Sequence, residues 1–381
     1  MNLVATWSFP TEIRIGAGRV QELGEACLAA AIKKPLLVTD RGLAGLAITK
    51  QALQILDANG LKPALYADVD PNPTDDNLAG GVDAFRSGEH DGVVAFGGGS
   101  GLDLGKMVAF MSGQTRPVWD FEDIDKYWRR ADPSGIAPIV AVPTTAGTGS
   151  EVSRAGVVLN SADQVKKIIF HPGMMPVVVI ADPVLTVDLP PEITAGTGMD
   201  AFAHCLEAYS ASSFHPMSKG IALEGMRIVA EFLPRAYKNC GDMEARTQMM
   251  VAASMGAVAF QGGLGAIHAI SHPIGALFNT HHGTTNAVLI PNVLSMNRTA
   301  IEAGIERASA YLGLDPGFDS FRNFVIGLND LLGIPSKLSE LGVRRCRVDE
   351  IVEMALDDPS AASNPVPMTA EATRRLLDET I

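Results

Sequence analysis

The sequence predicts an α/β domain built on a parallel sheet, followed by an all-helical domain. Short Val- and Ile-rich runs alternate with helical patterns through the first half, as in a parallel sheet covered by helices. After Asp182-Pro183 apolar residues recur at helical spacing and no further strand run follows. Six of the eight histidines lie beyond that change. The boundary is placed near 185, giving domains 1–185 and 186–381.

Five strands are expected in the first domain: 36–40 (LLVTD), 64–69 (ALYADV), 92–96 (GVVAF), 138–142 (PIVAV) and 176–181 (PVVVIA). Each is strand-length, β-branched and bounded by Gly, Pro or Asp. The PNP run at 71–73 forces an extended turn, and Thr74 is placed to cap a helix running toward Ser87. In the second domain 191–211, 217–238, 243–260, 264–278, 286–312, 318–332 and 347–357 read as helices, with Pro191 and Pro335 marking ends. The stretch 357–369, rich in Ser, Asn and Pro, reads as loop.

Composition narrows the function. Of 381 residues 19% are charged and 47% hydrophobic, an ordinary globular balance. The net charge of −13 has the wrong sign for a phosphate backbone, so nucleic acid is not expected as a partner. No run approaches the ~18 apolar residues of a membrane helix. The start MNLVATWSFP lacks the basic and apolar regions of a secretory signal, so no membrane association and a cytoplasmic location are expected. Cys27, Cys205, Cys240 and Cys346 are scattered without a CxxC pair, which indicates neither a disulfide framework nor a zinc knuckle.

The strand at 92–96 runs into GGGSGLDLGK, Gly97 to Lys106, where glycines let the backbone approach a ligand and the next helix offers free N–H groups to a pyrophosphate. A P-loop would need glycine at 100 and Ser or Thr at 107, but Ser100 and Met107 stand there, which disfavours phosphoryl transfer. Gly16-Ala17-Gly18 is half a dinucleotide fingerprint without its third glycine and reads as a turn. Asp40 ends a strand where a carboxylate can accept from ribose hydroxyls and repel a 2′-phosphate, favouring NAD; it can equally cap the next helix. A third loop, PTTAGTGSE at 143–151, follows the strand at 138–142. Open parallel sheets bind ligands at the strands' carboxyl edge, where all three loops fall.

Four of the histidines lie between 268 and 282. Asp200 and His204 are four apart on a helix and share a face; His268 and His272 repeat the spacing, and His282 follows in HHGTTN, where Gly283 allows close approach. One carboxylate with three imidazoles suits Fe(II) or Zn(II). His90, His171 and His215 read as hydrogen-bonded structural residues. No HExxH is present, so a zincin protease is not supported.

These motifs, with GMDAFAHCLEAY at 198–209 and GAIHAISHPIGALFNTHHG at 265–283, resemble the iron-containing, or group III, alcohol dehydrogenases almost end to end. The resemblance implies a Rossmann-like domain plus a helical domain, the dehydroquinate synthase-like architecture, with the active site in a cleft between them. It implies that Asp200, His204, His268 and His282 bind the metal, Fe(II) in this family, with Zn(II) fitting the same ligands. It implies NAD contacts from Asp40, Asn72, Gly97, Gly98, Gly99, Ser100, Asp103, Thr144, Thr145, Thr148 and Lys166, and places His272 beside the substrate as the catalytic residue. A homodimer is expected, since many relatives form one. The tail departs from the family's Asn-Pro-Arg, with Asn364-Pro365-Val366 in its place.

The expected activity is metal-dependent hydride transfer between a small alcohol or aldehyde and NAD(H), with His272 relaying the alcohol proton. Two other readings stand beside it: a metal- and NAD-dependent lyase or synthase of the dehydroquinate synthase-like type, and a non-catalytic nucleotide-binding sensor. The intact set of four ligands favours the dehydrogenase.

Overall fold

The computed structural model of the chain describes residues 11–381. Two compact units are present: one runs to Thr145 and resumes at Gly149–Asp188, the other comprises Ala146–Thr148 and Leu189–Ile381.

In the first unit, β1 (Glu12–Ile15), β2 (Pro35–Val38), β3 (Ala64–Tyr66), β4 (Gly92–Gly97), β5 (Ile139–Pro143) and β8 (Val178–Ala181) form a six-stranded sheet in the order β1-β8-β5-β4-β2-β3. Every pairing is parallel. The register aligns Ile13, Val179, Ala141, Ala95, Val38 and Tyr66 in one row across it. Parallel strands need crossovers, supplied here in part by α1 (Leu23–Ala29), α2 (Ala47–Ala58), α3 (Asp75–Ser87) and α4 (Gly99–Met111). All residues of β2, β4, β5 and β8 are buried, which is why these strands read as unbroken apolar runs. Thr74 caps α3 in a reciprocal box with Asn77.

Three strands were not anticipated. β1 is a short, half-exposed edge of alternating polar and apolar residues, and it precedes the Gly16–Gly18 turn. The antiparallel hairpin β6 (Ala155–Asn160) and β7 (Val165–Phe170) buries alternate β6 residues, and the charged Lys166 and Lys167 break its apolar signature. Parallel register brings the residues after β2, β4 and β5, namely Thr39-Asp40, Gly98 and Thr144-Thr145, to one edge of the sheet. The chain extends from β2 outward to β3 and then returns to β4 on β2's other side, making β2/β4 the reversal of strand order where open sheets hold nucleotides.

The second unit is helical: α5 (Pro191–Ser210), α6 (Pro216–Lys238), α7 (Met243–Ala259), α8 (Ala266–Phe278), α9 (His282–Tyr311), α10 (Phe318–Leu331), α11 (Val348–Asp357) and α12 (Ala370–Thr380). Residues 194–208 of α5 are buried on every face, so this helix is the axis of the unit. Met199, Phe202 and Leu206 belong to the same core as Met226, Val229 and Leu233 of α6 and Val288 and Ile290 of α9. The helix α9 begins four residues earlier than the sequence suggests, because the His281 side chain caps it. Beyond the loop-like stretch, Thr369 caps the amphipathic α12. Among the described residues no single helix is long and apolar enough to cross a membrane.

Asp182 closes the sheet unit from a fully buried position. It accepts from Gly18 N at 3.1 Å, Val20 N at 3.0 Å and Val184 N at 3.0 Å. Asp182→Ala strands these donors and is expected to cost about 2–4 kcal/mol, read as a lower urea midpoint at unchanged m. An unshifted midpoint would contradict this account of β8's end.

Candidate metal and nucleotide site

The helix α5 sets Asp200 and His204 one turn apart on one face. His268 comes from α8, and His282 is the first residue of α9. The two helices α5 and α9 approach so closely that a Cβ on Gly283 would fall 2.1 Å from the Gly196 carbonyl oxygen and 3.0 Å from Asp200 Cβ. Glycine at 283 is therefore what lets His282 reach Asp200.

The Nε2 atoms of His204, His268 and His282 lie 4.0, 3.8 and 3.5 Å from Asp200 Oδ1. Ligand atoms at ~2.1 Å from one tetrahedral ion would be roughly 3.4 Å apart, so the spread fits a shared cation better than hydrogen bonds to the carboxylate. Atoms of Asp200, His204 and His268 form a buried set within 4.8 Å of one another. The His282 side chain keeps 28% of its exposure and forms the open side. Asn286 Nδ2 donates to Asp200 Oδ1 at 2.7 Å and lies 3.3 and 3.2 Å from the Nε2 atoms of His268 and His282. Among the described residues Asn286 Oδ1 and His204 Nδ1 are buried without hydrogen-bond partners. The residues fit a divalent cation: their lone pairs face one point, and burying them so without one is unfavourable.

Charge follows the geometry. Burial opposes ionisation of Asp200, but the surrounding imidazoles outweigh it and hold the carboxyl well below the usual range. Burial lowers His204 to about 4, against the pull of Asp200. Burial also disfavours the His268 imidazolium, but Glu207 and Asp200 outweigh it and raise His268 to about 10.

The other histidines have separate tasks. His281 Nδ1 accepts from Thr284 N at 3.3 Å and caps α9, so the adjacent imidazoles divide into a cap and a cluster member. His272 Nδ1 is 2.8 Å from Asp358 Oδ2. His90 Nδ1 is 2.9 Å from Lys34 O, while His171 and His215 cap their own turns, as the sequence suggests. Glu207, Asn286 and Asp358 escaped sequence reasoning: Glu207 and Asp358 meet their histidines 61 and 86 positions away. The only local sign was Glu207 standing seven residues after Asp200 on the same helix face.

In the sheet unit, Gly97 ends β4 at φ +146°, a conformation other residues rarely adopt. A Cβ there would lie 3.7 Å from Asp40 Oδ2, so the ends of β4 and β2 are neighbours. Gly98 begins α4 without a side-chain cap, and Gly99 and Ser100 form its first turn, whose N–H groups suit an anion. Asp40 Oδ1 accepts from Leu43 N at 3.0 Å within the turn after β2 and does not cap α2, whose N-cap is Leu46; Oδ2 is left toward Gly97.

Asp103 is engaged within the unit. It accepts from Ser150 Oγ and, at 3.0 Å, from Val157 N, holding the 143–151 loop and β6 against α4. Lys106, fully buried, donates to Ser150 O at 2.9 Å and to Ala155 O; burial lowers its pKa against the pull of Asp103. Thr144 Oγ1 is buried without a hydrogen-bond partner among the described residues, and the Thr145 side chain packs where a Cβ on Gly98 would stand, at 3.2 Å. Asn72 lies in the turn before α3, Thr148 in the loop after β5 and Lys166 on β7.

One unit carries a parallel sheet with a glycine-lined strand end and the other gathers one carboxylate and three imidazoles, the parts a metal-dependent dehydrogenase requires. The iron-containing alcohol dehydrogenase pattern matches residues 10–183, and the C-terminal pattern of the Fe-containing alcohol dehydrogenase family matches 194–381. The chain belongs to the iron-containing alcohol dehydrogenase family. It is 35% identical over 380 residues to a 4-hydroxybutyrate dehydrogenase of Cupriavidus necator, covering 97% of this chain and 98% of that one. It is 33% identical over 371 residues to an NAD-dependent methanol dehydrogenase of Bacillus methanolicus, covering 95% and 96%. Among solved structures, a 1,3-propanediol oxidoreductase superposes with TM-score 0.94 at 32% identity, covering 99% and 100%. A sulfoacetaldehyde reductase of Bifidobacterium kashiwanohense in complex with NAD+ superposes at 0.89 with 26% identity, covering 100% and 99%.

Metal binding should be proton-linked. With His268 raised to about 10, the ion displaces its proton near neutrality, so affinity rises with pH. Zn(II) affinity by chelator competition should weaken about 100-fold between pH 8 and 6 for one displaced proton. Affinity independent of pH would contradict the assignment of His268 to the cation site.

Proposed function

We propose that this protein is a metal-dependent, NAD(H)-linked alcohol dehydrogenase and aldehyde reductase for small substrates. The observation that carries the reading is the convergence of three imidazoles on Asp200 inside a chain of the iron-containing alcohol dehydrogenase family. In it Asp200, His204, His268 and His282 hold the metal, Fe(II) or with the same ligands Zn(II). When bound, the ion supplies Lewis acidity to the substrate oxygen and NAD accepts or donates the hydride.

The chain's own residues do the rest. The segment from Gly97 to Ser100, which runs from the end of β4 into the uncapped start of α4, receives the pyrophosphate. Asp40, placed beside Gly97, receives the ribose hydroxyls and disfavours a 2′-phosphate. Asn72, Thr144, Thr145, Thr148 and Lys166 complete the cofactor contacts, and Asp103 serves them through the loop it holds. With Nδ1–H directed at Asp358, His272 keeps Nε2 free to take the alcohol proton or return it. Burial opposes ionisation of Asp358, but His272 and the Ser360 N–H outweigh it and keep the carboxyl below its ordinary value, so it remains an acceptor at neutral pH.

Domains 1–185 and 186–381, a cytoplasmic location and a homodimer complete the proposal; the dimer is checked by sedimentation. The named relatives act on different small alcohols and aldehydes, which supports that substrate class.

Anaerobically prepared protein with Fe(II) or Zn(II) should oxidise NADH with a panel of small aldehydes, and Asp200→Ala or His268→Ala should abolish both metal retention and turnover. Metal-loaded protein inert across the panel would overturn the dehydrogenase reading. His272→Ala should lower kcat about 10²–10⁴-fold with metal content unchanged, and Asp358→Asn should act in the same direction more weakly. Loss of metal from His272→Ala would make that residue a ligand instead.

A further inference from the structure

The helix α5 carries a third chemical group on the face of Asp200 and His204. Glu207, seven and three residues further on, is 5% exposed and forms no salt bridge with Lys or Arg among the described residues. Its two oxygens divide their work. Oε2 lies 2.6 Å from His268 Nδ1, and Oε1 accepts the Ile267 backbone N–H at 2.6 Å. An acceptor at Nδ1 holds one ring proton there, so the proton a metal ion displaces is the one on Nε2, whose lone pair is then directed toward Asp200.

The same carboxylate serves the start of α8. Gly265, the N-cap, has no side chain to offer the first turn. Ile267 N–H goes to Glu207 and Ala266 N–H to Asn364 Oδ1 at 3.0 Å. A Cβ on Gly265 would stand 2.7 Å from Asn364 Oδ1 and 3.1 Å from Glu207 Oε1, so both acceptors depend on its absence. The helix that presents His268 is thus fixed to the helix that presents Asp200 and His204 by one buried carboxylate.

We propose that Glu207 is a positioning residue of the metal centre: it sets the tautomer and ring plane of His268 together with the start of α8, and so determines metal affinity. The inference rests on the reading of His268 as a ligand. A carboxylate that merely filled space would alter stability, but neither affinity nor the field at the ion.

The test uses full-length protein stripped of metal, with Glu207→Gln, Gly265→Ala and His268→Ala compared with wild type. Zn(II) affinity is measured by competition with a chromophoric chelator, the Co(II) d–d spectrum reports the ligand field, and thermal melting of the stripped protein reports folding. Glu207→Gln keeps only one acceptor oxygen for two donors and should weaken Zn(II) binding about 10–100-fold. Its Co(II) bands should shift, and its stripped form should still melt cooperatively. Gly265→Ala should change affinity in the same direction, and it decides by the same criteria if Glu207→Gln does not fold. Wild-type affinity and an unchanged Co(II) spectrum in the position 207 and 265 variants, with metal lost from His268→Ala, would overturn the proposal and leave His268 a ligand. Retention of metal by His268→Ala would overturn the ligand reading and the proposal with it.

Discussion

The helical unit is organised around the burial of Asp200. A carboxylate taken out of water costs several kcal/mol unless positive charge or donors surround it. Asp200 is 2% exposed, with three imidazoles and the Asn286 amide around it. That requirement reaches far along the chain. It calls for α5 at the centre, glycine at 283 where α9 meets α5, and an α8 whose start is held in place. It also separates two adjacent imidazoles, His281 as a helix cap and His282 as part of the cluster.

The sheet unit solves a different problem. A dinucleotide is held by backbone N–H groups and by the absence of side chains, so the chemistry resides in where glycine stands. Gly97 supplies a conformation, while Gly101 and Gly105 let α4 pack on its strand: a Cβ on Gly101 would lie 2.9 Å from Phe96 O, and one on Gly105 2.7 Å from Ala95 Cβ. Asp103 and Lys106, on the same helix, use their charge to hold the loop after β5 and the hairpin. A motif with the lettering of a phosphate site thus divides into a first turn without a side-chain cap and a buried structural anchor.

Much of this was legible in the sequence. Central parallel strands are buried on both faces and appear as Val and Ile runs; α5 shows the i, i+4 pair Asp200 and His204 directly. The edge strand β1 and the hairpin were not legible, because half-exposed strands carry polar residues that blur the pattern. The supporting residues were hidden for another reason. Glu207 and Asp358 are ordinary acids until folding brings each beside a histidine, and no periodicity encodes a pairing across tens of residues. Nor does spacing tell which of His281 and His282 turns inward; the cap at Thr284 does.

The central claim is that one ion joins Asp200 to three imidazoles. X-ray absorption at the metal edge of the loaded protein tests it most directly. The account predicts three imidazole nitrogens and at least one oxygen at about 2.0–2.2 Å, with one imidazole fewer in any His204→Ala or His282→Ala protein that retains metal. A spectrum with fewer imidazoles in wild type, or one unchanged by those substitutions, would contradict it.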